Sequence, residues 1–192
     1  MKLDTKILLS CKGATNKKEY REHLKAICFD FDQDSKKLNI IGTNAQCMII
    51  NSVKIKDEDI EFCKKYFSDN AAYLIDDKVL DPKQLLTEFT EIDNRLVCNG
   101  VLLVKLDMQY PNWRCIVPEI DLCQATAYCG WNSDLIKQVD KALGWKNQTI
   151  MTRIPRVNSK QEREYLNPHR WDLEIYTDCD TTVLIMPMRI EK

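Results

Sequence analysis

The sequence is poor in glycine and proline and contains no long hydrophobic run. Its 192 residues include 5 glycines and 6 prolines, which excludes collagen-like, low-complexity and linker-like segments. Apolar runs such as residues 47–50 and 183–186 are far too short to cross a bilayer. The first residues lack the apolar core of a secretion signal. We therefore expect a cytoplasmic protein with no membrane partner.

The chain also lacks an excess of either charge. It has 28 basic and 29 acidic residues, which gives a formal net charge of −1. This balance excludes a protein that coats nucleic acid through bulk positive charge, but it leaves a local basic face open.

Residues for metal or cofactor chemistry are sparse. The 9 cysteines form no C-x-x-C pair, and 2 histidines do not complete the usual zinc spacing. Most of the cysteines lie in apolar runs, where a reduced thiol acts as a small hydrophobic side chain. No phosphate-binding loop, dinucleotide motif or catalytic triad is present. We expect no catalytic residue, no metal and no cofactor.

The hydrophobic pattern predicts an α+β fold in which one unit, a strand, a helix and further strands, occurs three times. The first unit has a strand over 5–11, a helix over about 17–27, and strands over 28–31, 38–42 and 47–55. After a short helix or loop over 57–68, the second has a strand over 72–75, a helix starting at Asp81-Pro82, and a hairpin that turns through Asn99-Gly100. The third has a helix capped by Asn132 or Ser133 and stopped by Gly144, followed by strands up to 189.

Two predicted helices carry basic stripes. Lys17, Arg21 and Lys25 recur every four residues, with Lys18 beside them, and Lys137 and Lys141 have the same spacing. Such stripes are compatible with contact to DNA phosphates. Neighbouring acidic residues leave the alternative open that these are simply solvated helix faces.

A D-x-D pair lies at the end of the apolar strand predicted over 28–31. Asp30 and Asp32 have the spacing of the carboxylates that bind Mg²⁺ and attack phosphate in one class of phosphohydrolases. The threonine of that pattern is replaced by Asp34, and no Rossmann-like alternation follows. An acidic hairpin turn is the favoured interpretation, and a Mg²⁺-dependent phosphohydrolase is an alternative.

The C-terminal segment resembles a known family. Residues 183–190 read V-L-I-M-P-M-R-I, which is similar to the closing strand of the bacterial DNA sliding clamp, the beta subunit of DNA polymerase III. Residues 20–29, 38–48 and 110–118 resemble further clamp segments in the same order. The chain is too short for a full clamp subunit and looks like the short clamp-like proteins of phages and plasmids.

The resemblance implies the DNA-clamp fold, in which β-α-β-β-β modules repeat and the helices lie on one side of curved antiparallel sheets. Residues 1–118 would form a complete domain of two modules. Residues 119–192 would form a third module, similar to the second half of the last clamp domain.

The resemblance also implies a function without chemistry, as an accessory protein of DNA replication or repair. Helices carrying Lys and Arg would contact double-stranded DNA without sequence preference, and a hydrophobic cleft would dock short peptides of polymerases or repair proteins. The cleft positions that carry over are Thr43, Met48, Pro118, Val183, Ile185, Met186, Pro187, Met188 and Arg189. Residues 44–47 read N-A-Q-C where the family has D-G-H-R. An adaptor or decoy that binds replication proteins without encircling DNA is the alternative, and a homo-oligomer is left open.

Overall fold

The computed structural model describes residues 1–108, 110–117, 123–124, 132–144, 151–155, 169–176 and 178–186. The helices are α1 (Thr5–Ala14), α2 (Ile60–Tyr66) and α3 (Ser133–Leu143). The strands are β1 (Lys2–Asp4), β2 (Ile27–Asp32), β3 (Lys37–Thr43), β4 (Cys47–Lys54), β5 (Ala71–Leu74), β6 (Leu86–Ile92), β7 (Arg95–Cys98), β8 (Val101–Leu102), β9 (Val104–Lys105), β10 (Cys123–Gln124), β11 (Met151–Pro155), β12 (His169–Tyr176) and β13 (Cys179–Ile185).

Two antiparallel sheets organise these strands. The larger has nine strands in the order β10-β11-β12-β13-β4-β3-β2-β5-β9, and the smaller has the order β1-β6-β7-β8. In the large sheet β13 pairs with β4 along its whole length, so Leu184 lies opposite Met48. The end of the chain is thereby joined to its first third. The prediction of an α+β fold with antiparallel sheets is confirmed, whereas the domain boundary at 118 stays a prediction.

Alternating side chains divide the large sheet into two apolar faces. On one face Phe29, Ile49 and Val183 pack beneath α1 and α3, and these residues belong to a helix-side core. The neighbouring strand positions point to the opposite face because successive side chains of a strand alternate. Together with residues from outside the strands, they form a second cluster, the pocket-side core. Its members are Ala26, Cys28, Ile41, Met48, Ile50, Ala72, Leu106, Tyr110, Trp113 and Leu184.

The first helix begins earlier than the sequence pattern predicts. Asp4 caps it, because its carboxylate accepts a hydrogen bond of 2.8 Å from the backbone N–H of Lys6. Ile7, Leu8 and Cys11 are buried at helical spacing. The predicted strand over 5–11 is therefore wrong. The predicted helix over 17–27 is also wrong, since that segment holds only a 3₁₀ turn at Glu22–Leu24 before β2.

The helix predicted from Asp81 is wrong as well. Asp81 and Pro82 form a turn, in which the N–H of Gln84 donates to the Asp81 carbonyl at 3.0 Å. The strand β6 follows, with Thr87 and Phe89 buried and their neighbours exposed. This period of two is the signature of a strand with one buried face, and it outweighs the proline start signal.

The third helix agrees with its prediction. The Asn132 side chain accepts a hydrogen bond from the N–H of Asp134 at 2.8 Å, and Gly144 ends α3 in the left-handed conformation with φ 59°. Gln138 on this helix donates to the Gly13 carbonyl at 3.0 Å, so α3 contacts α1. The two helices lie together on the helix side of the large sheet.

Candidate functional site

A pocket of about 210 Å³ opens on the pocket side of the large sheet. It is mainly apolar, with polar groups at its margin, and its walls come from four separate stretches of the chain. The lining residues are Arg21, His23, Leu24, Thr43, Ala45, Gln46, Cys47, Met48, Pro111, Ile116, Leu184 and Met186.

The floor is built by the ends of three adjacent strands. Thr43 lies opposite Met48 across the β3–β4 pair, and Leu184 lies opposite Met48 across the β4–β13 pair. The N–H of Met186 then donates to the Gln46 carbonyl at 3.0 Å, which extends the pairing one step beyond β13. Sheet register therefore brings residues 43–48 and 184–186 together in the floor of the pocket.

A tight loop over 44–46 shapes the rim above this floor. The Asn44 carboxamide oxygen accepts hydrogen bonds from the N–H groups of Gln46 at 2.9 Å and Cys47 at 2.8 Å. Asn44 also donates to the Gln138 side chain at 2.9 Å, which ties the loop to α3. This is the segment in which the sequence departs from the clamp pattern, and here it forms an ordered turn rather than presenting a histidine and an arginine.

The turn at Glu22–Leu24 supplies another wall. Arg21 enters the pocket lining while its guanidinium contacts the Glu19 carboxylate, with nitrogen–oxygen distances of 3.3 and 3.2 Å. Hydrogen bonding to Arg21 lowers the pKa of Glu19 below its ordinary value. The His23 ring lies edge-on to the Tyr110 ring, with centroids 6.4 Å apart.

The last wall is the segment 110–117, which crosses the pocket-side core. Pro111 and Ile116 face the pocket, and Trp113 lies buried between them in sequence. The Trp113 indole N–H donates to the Asp30 carboxylate at 3.1 Å and to the Asn70 side chain at 3.0 Å. Arg114 forms an ion pair with the same Asp30 oxygen.

The predicted cleft residues have different positions. Thr43, Met48 and Met186 line the pocket together, although they are distant in sequence. Val183 and Ile185 do not line it, because they point to the opposite face of the sheet and belong to the helix-side core. Leu184, which lies between them in β13, lines the pocket instead. Pro118, Pro187, Met188 and Arg189 lie outside the described residues.

Sequence reasoning missed the walls from Arg21, His23, Leu24, Pro111 and Ile116. The sequence pattern predicts Arg21 on a DNA-facing helix and predicts no cleft role for the other four residues. The signal that could have found them is their position in segments 20–29 and 110–118, which resemble clamp segments.

The predicted basic surface is altered by the missing helix. Lys17, Lys18, Arg21 and Lys25 lie in turns rather than on a helix face, and Lys17 forms an ion pair with Asp77. Lys137 and Lys141 are exposed on α3, as predicted.

The two basic residues of α3 have acidic neighbours. Lys137 contacts Asp134 at 3.3 Å, and Asp140 precedes Lys141. Of the two predicted helical stripes, only the one on α3 lies on a helix in the described part of the chain.

The D-x-D pair shows no arrangement for metal binding. The Asp32 carboxylate accepts hydrogen bonds from the N–H of Asp34 at 3.0 Å and the hydroxyl of Ser35 at 2.8 Å, so it caps the β2–β3 turn. The Asp30 carboxylate accepts the hydrogen bond from Trp113 and forms the ion pair with Arg114. Within the described ranges, no group of three or more His, Cys, Asp or Glu residues could hold a metal ion.

No protein-family model matches the sequence, and no curated protein matches it. None of the helices in the described stretches is long and apolar enough to cross a membrane.

Solved structures do match. The beta chain of DNA polymerase III from Streptococcus pneumoniae superposes with a TM-score of 0.62 at 14% identity over 99% of this chain. The Bacillus subtilis sliding clamp gives 0.60 at 14% identity over 100% of this chain. The Bartonella birtlesii clamp, solved with griselimycin bound, gives 0.62 at 12% identity over 98% of this chain.

This chain spans 64% of the length of the Streptococcus and Bacillus clamps and 66% of the Bartonella clamp. The fold of this protein is that of the bacterial DNA sliding clamps.

Proposed function

We propose that this protein is a clamp-fold accessory protein of DNA replication or repair that docks a short apolar peptide of a partner in the pocket described above. The observation that supports this most is the convergence of Thr43, Met48 and Met186 on one concave apolar surface. Methionine suits such a surface because its flexible thioether adapts to different apolar anchors. On this proposal the protein is cytoplasmic and catalyses no reaction.

The size of the pocket indicates the kind of ligand. At about 210 Å³ it is smaller than the roughly 300–1,000 Å³ typical of sites for whole small molecules. It suits one or two anchoring side chains, such as a leucine and a phenylalanine, on an extended peptide. Two buried anchors contribute about 3–6 kcal/mol. With added backbone hydrogen bonds we expect a dissociation constant of about 10–100 µM.

The test is a titration of a fluorescent peptide with the pattern Q-L-x-L-F, followed by anisotropy. Replacing Met186 by Ala removes about 1–1.5 kcal/mol of apolar contact, so we expect binding to weaken about five- to tenfold. The matched control is Met108→Ala, because Met108 is 44% exposed and lies outside the pocket. Absence of saturable binding by the unmodified protein would refute the docking function.

DNA contact through Lys137 and Lys141 is a separate part of the proposal. A clamp that encircles DNA through these residues should bind duplexes of any sequence with a steep salt dependence, and Lys137→Glu with Lys141→Glu should flatten the slope. The alternative is an adaptor that does not encircle DNA. The pairing of Lys17 with Asp77 and of Lys137 with Asp134 favours that alternative, because each places a carboxylate beside an expected DNA contact. Absence of salt-dependent duplex binding by the unmodified protein would select the adaptor, and an unchanged slope in the double variant would show that Lys137 and Lys141 do not contact DNA.

A further inference from the structure

One buried carboxylate contacts a segment that lines the pocket, but it is not itself a lining residue. The Asp30 side chain is 6% exposed and projects from β2, an inner strand of the large sheet, into the pocket-side core. Burying a carboxylate is costly unless it is paired and hydrogen-bonded. Both side chains that satisfy it, Trp113 and Arg114, come from one 3₁₀ turn, Trp113–Cys115. The strand β2 thus contacts a segment that is distant in sequence, and Asn70 accepts a second hydrogen bond from the same Trp113 indole.

The anchored turn is itself tightly organised. The Arg114 guanidinium lies over the Trp113 ring, 4.6 Å from its centroid, so the two partners of Asp30 also hold each other. The backbone N–H groups of Ile116 and Val117 both donate to the Trp113 carbonyl, at 3.0 and 3.3 Å. The position of Ile116 therefore follows from the position of Trp113.

The residues that flank this turn form a pocket wall. Pro111 precedes it and Ile116 follows it, and Ile116 stays 41% exposed on the face that lines the pocket. A short irregular segment with an exposed isoleucine has little reason to stay ordered on its own. Asp30 contributes to its order, together with Asn70 and the burial of Tyr110, although Asp30 does not line the pocket itself.

We propose that Asp30 is the positioning residue of the docking pocket: through Trp113 and Arg114 it holds the 110–117 segment so that Pro111 and Ile116 form a wall before the peptide arrives. The inference rests on the docking function proposed above and adds the residue that sets its affinity. A wall that is already ordered does not lose conformational entropy when the peptide binds, whereas a loose wall does. This also explains the D-x-D pair: its first aspartate anchors the wall, and its second caps a turn.

The experiment compares the peptide affinities of three variants. Asp30→Asn keeps the shape of the side chain and an acceptor for Trp113 but removes the ion pair with Arg114, and Arg114→Gln removes the same ion pair from a side chain that is 46% exposed. We expect each to weaken peptide binding about five- to tenfold, and the double variant to be no weaker than the worse single variant, because the two residues act as one unit. The matched control is Asp32→Asn, which changes an aspartate two positions along the same strand.

A second readout separates positioning from a general loss of stability. Amide hydrogen exchange of Ile116 and Val117 should become at least about tenfold faster in Asp30→Asn and Arg114→Gln, while exchange in β3 and β4 stays as in the unmodified protein. If Asp30→Asn does not fold, Arg114→Gln carries the test alone, because Arg114 lies at the surface.

The outcomes for the two proposals differ. If the unmodified protein binds the peptide and both variants bind as tightly as Asp32→Asn, the positioning role is refuted and the docking function stands. If the unmodified protein does not bind the peptide, the docking function is refuted and the role of Asp30 in affinity falls with it.

Discussion

Gly42 provides a sharp test of where the first helix lies. This glycine is in β3 directly beneath α1, and a Cβ atom added to it would lie 1.8 Å from the Cys11 carbonyl oxygen. Cβ contacts in proteins do not fall below 3.0 Å, so Gly42→Ala must push the helix backbone away by about 1.2 Å, the difference between these distances. The obstacle is main chain, which cannot rotate aside. We expect a cost near the upper end of overpacking, about 3 kcal/mol.

The measurement is a thermal melt followed by circular dichroism. For a chain of 192 residues, 1 kcal/mol corresponds to about 2–4 °C in Tm, so Gly42→Ala should lower Tm by about 6–12 °C. The control is Gly100→Ala, which meets no atom within 4 Å but has φ +80°. Its cost is the strain of a left-handed alanine, about 1 kcal/mol. A Tm for Gly42→Ala equal to that of Gly100→Ala would show that α1 does not lie on β3.

Two further predictions concern packing and burial. A Cβ on Gly13 would lie 2.7 Å from the Ala142 Cβ, so Gly13→Ala should destabilise the α1–α3 contact. Adding Ala142→Gly should restore at least about 1 kcal/mol of the free energy of unfolding, measured in urea. Additive effects of the two substitutions would contradict this contact. Burial raises the pKa of the Cys47 thiol to about 12, above its ordinary value, so only about one thiol in ten thousand is ionised at pH 8. Iodoacetamide should therefore label the exposed Cys115 well before Cys47 in the folded protein, as judged by mass spectrometry of peptides, and equal labelling rates would contradict the buried position of Cys47.

The strands β2, β3 and β4 were predictable to within one or two residues. Each is an apolar run bounded by polar turn residues, and antiparallel neighbours of this kind are local in sequence. The helix α3 was equally predictable from the sequence, because Asn132 and Gly144 mark its ends and its apolar residues recur at helical spacing.

The errors come from segments in which two patterns compete. Residues 7–9 form a short apolar run that suits a strand or a helix, and only the cap at Asp4 decides for the helix. Residues 17–27 have helical spacing of charges, but spacing of charges does not bury apolar area, and Tyr20 is left 84% exposed. Tertiary packing decides such cases, and it is not visible in a local window.

The pocket was predictable only in part. Thr43, Met48 and Met186 followed from the resemblance to clamps, because sheet register connects them in any chain with this fold. The wall from 110–117 is joined to β2 by a hydrogen bond between Trp113 and Asp30 across 83 positions, and no periodicity encodes such a contact. For the same reason the D-x-D pair was open to interpretation as a metal site.

The central claim is that the pocket docks an apolar peptide, and methyl NMR of the protein labelled with ¹³C-methyl methionine tests it most directly. The signals of Met48 and Met186, assigned by single substitutions, should shift in proportion to added Q-L-x-L-F peptide, because both side chains line the pocket. The signals of Met1 and Met108, which lie outside it, should stay in place. If the methyl signals of Met48 and Met186 do not shift at millimolar peptide, the docking claim is contradicted.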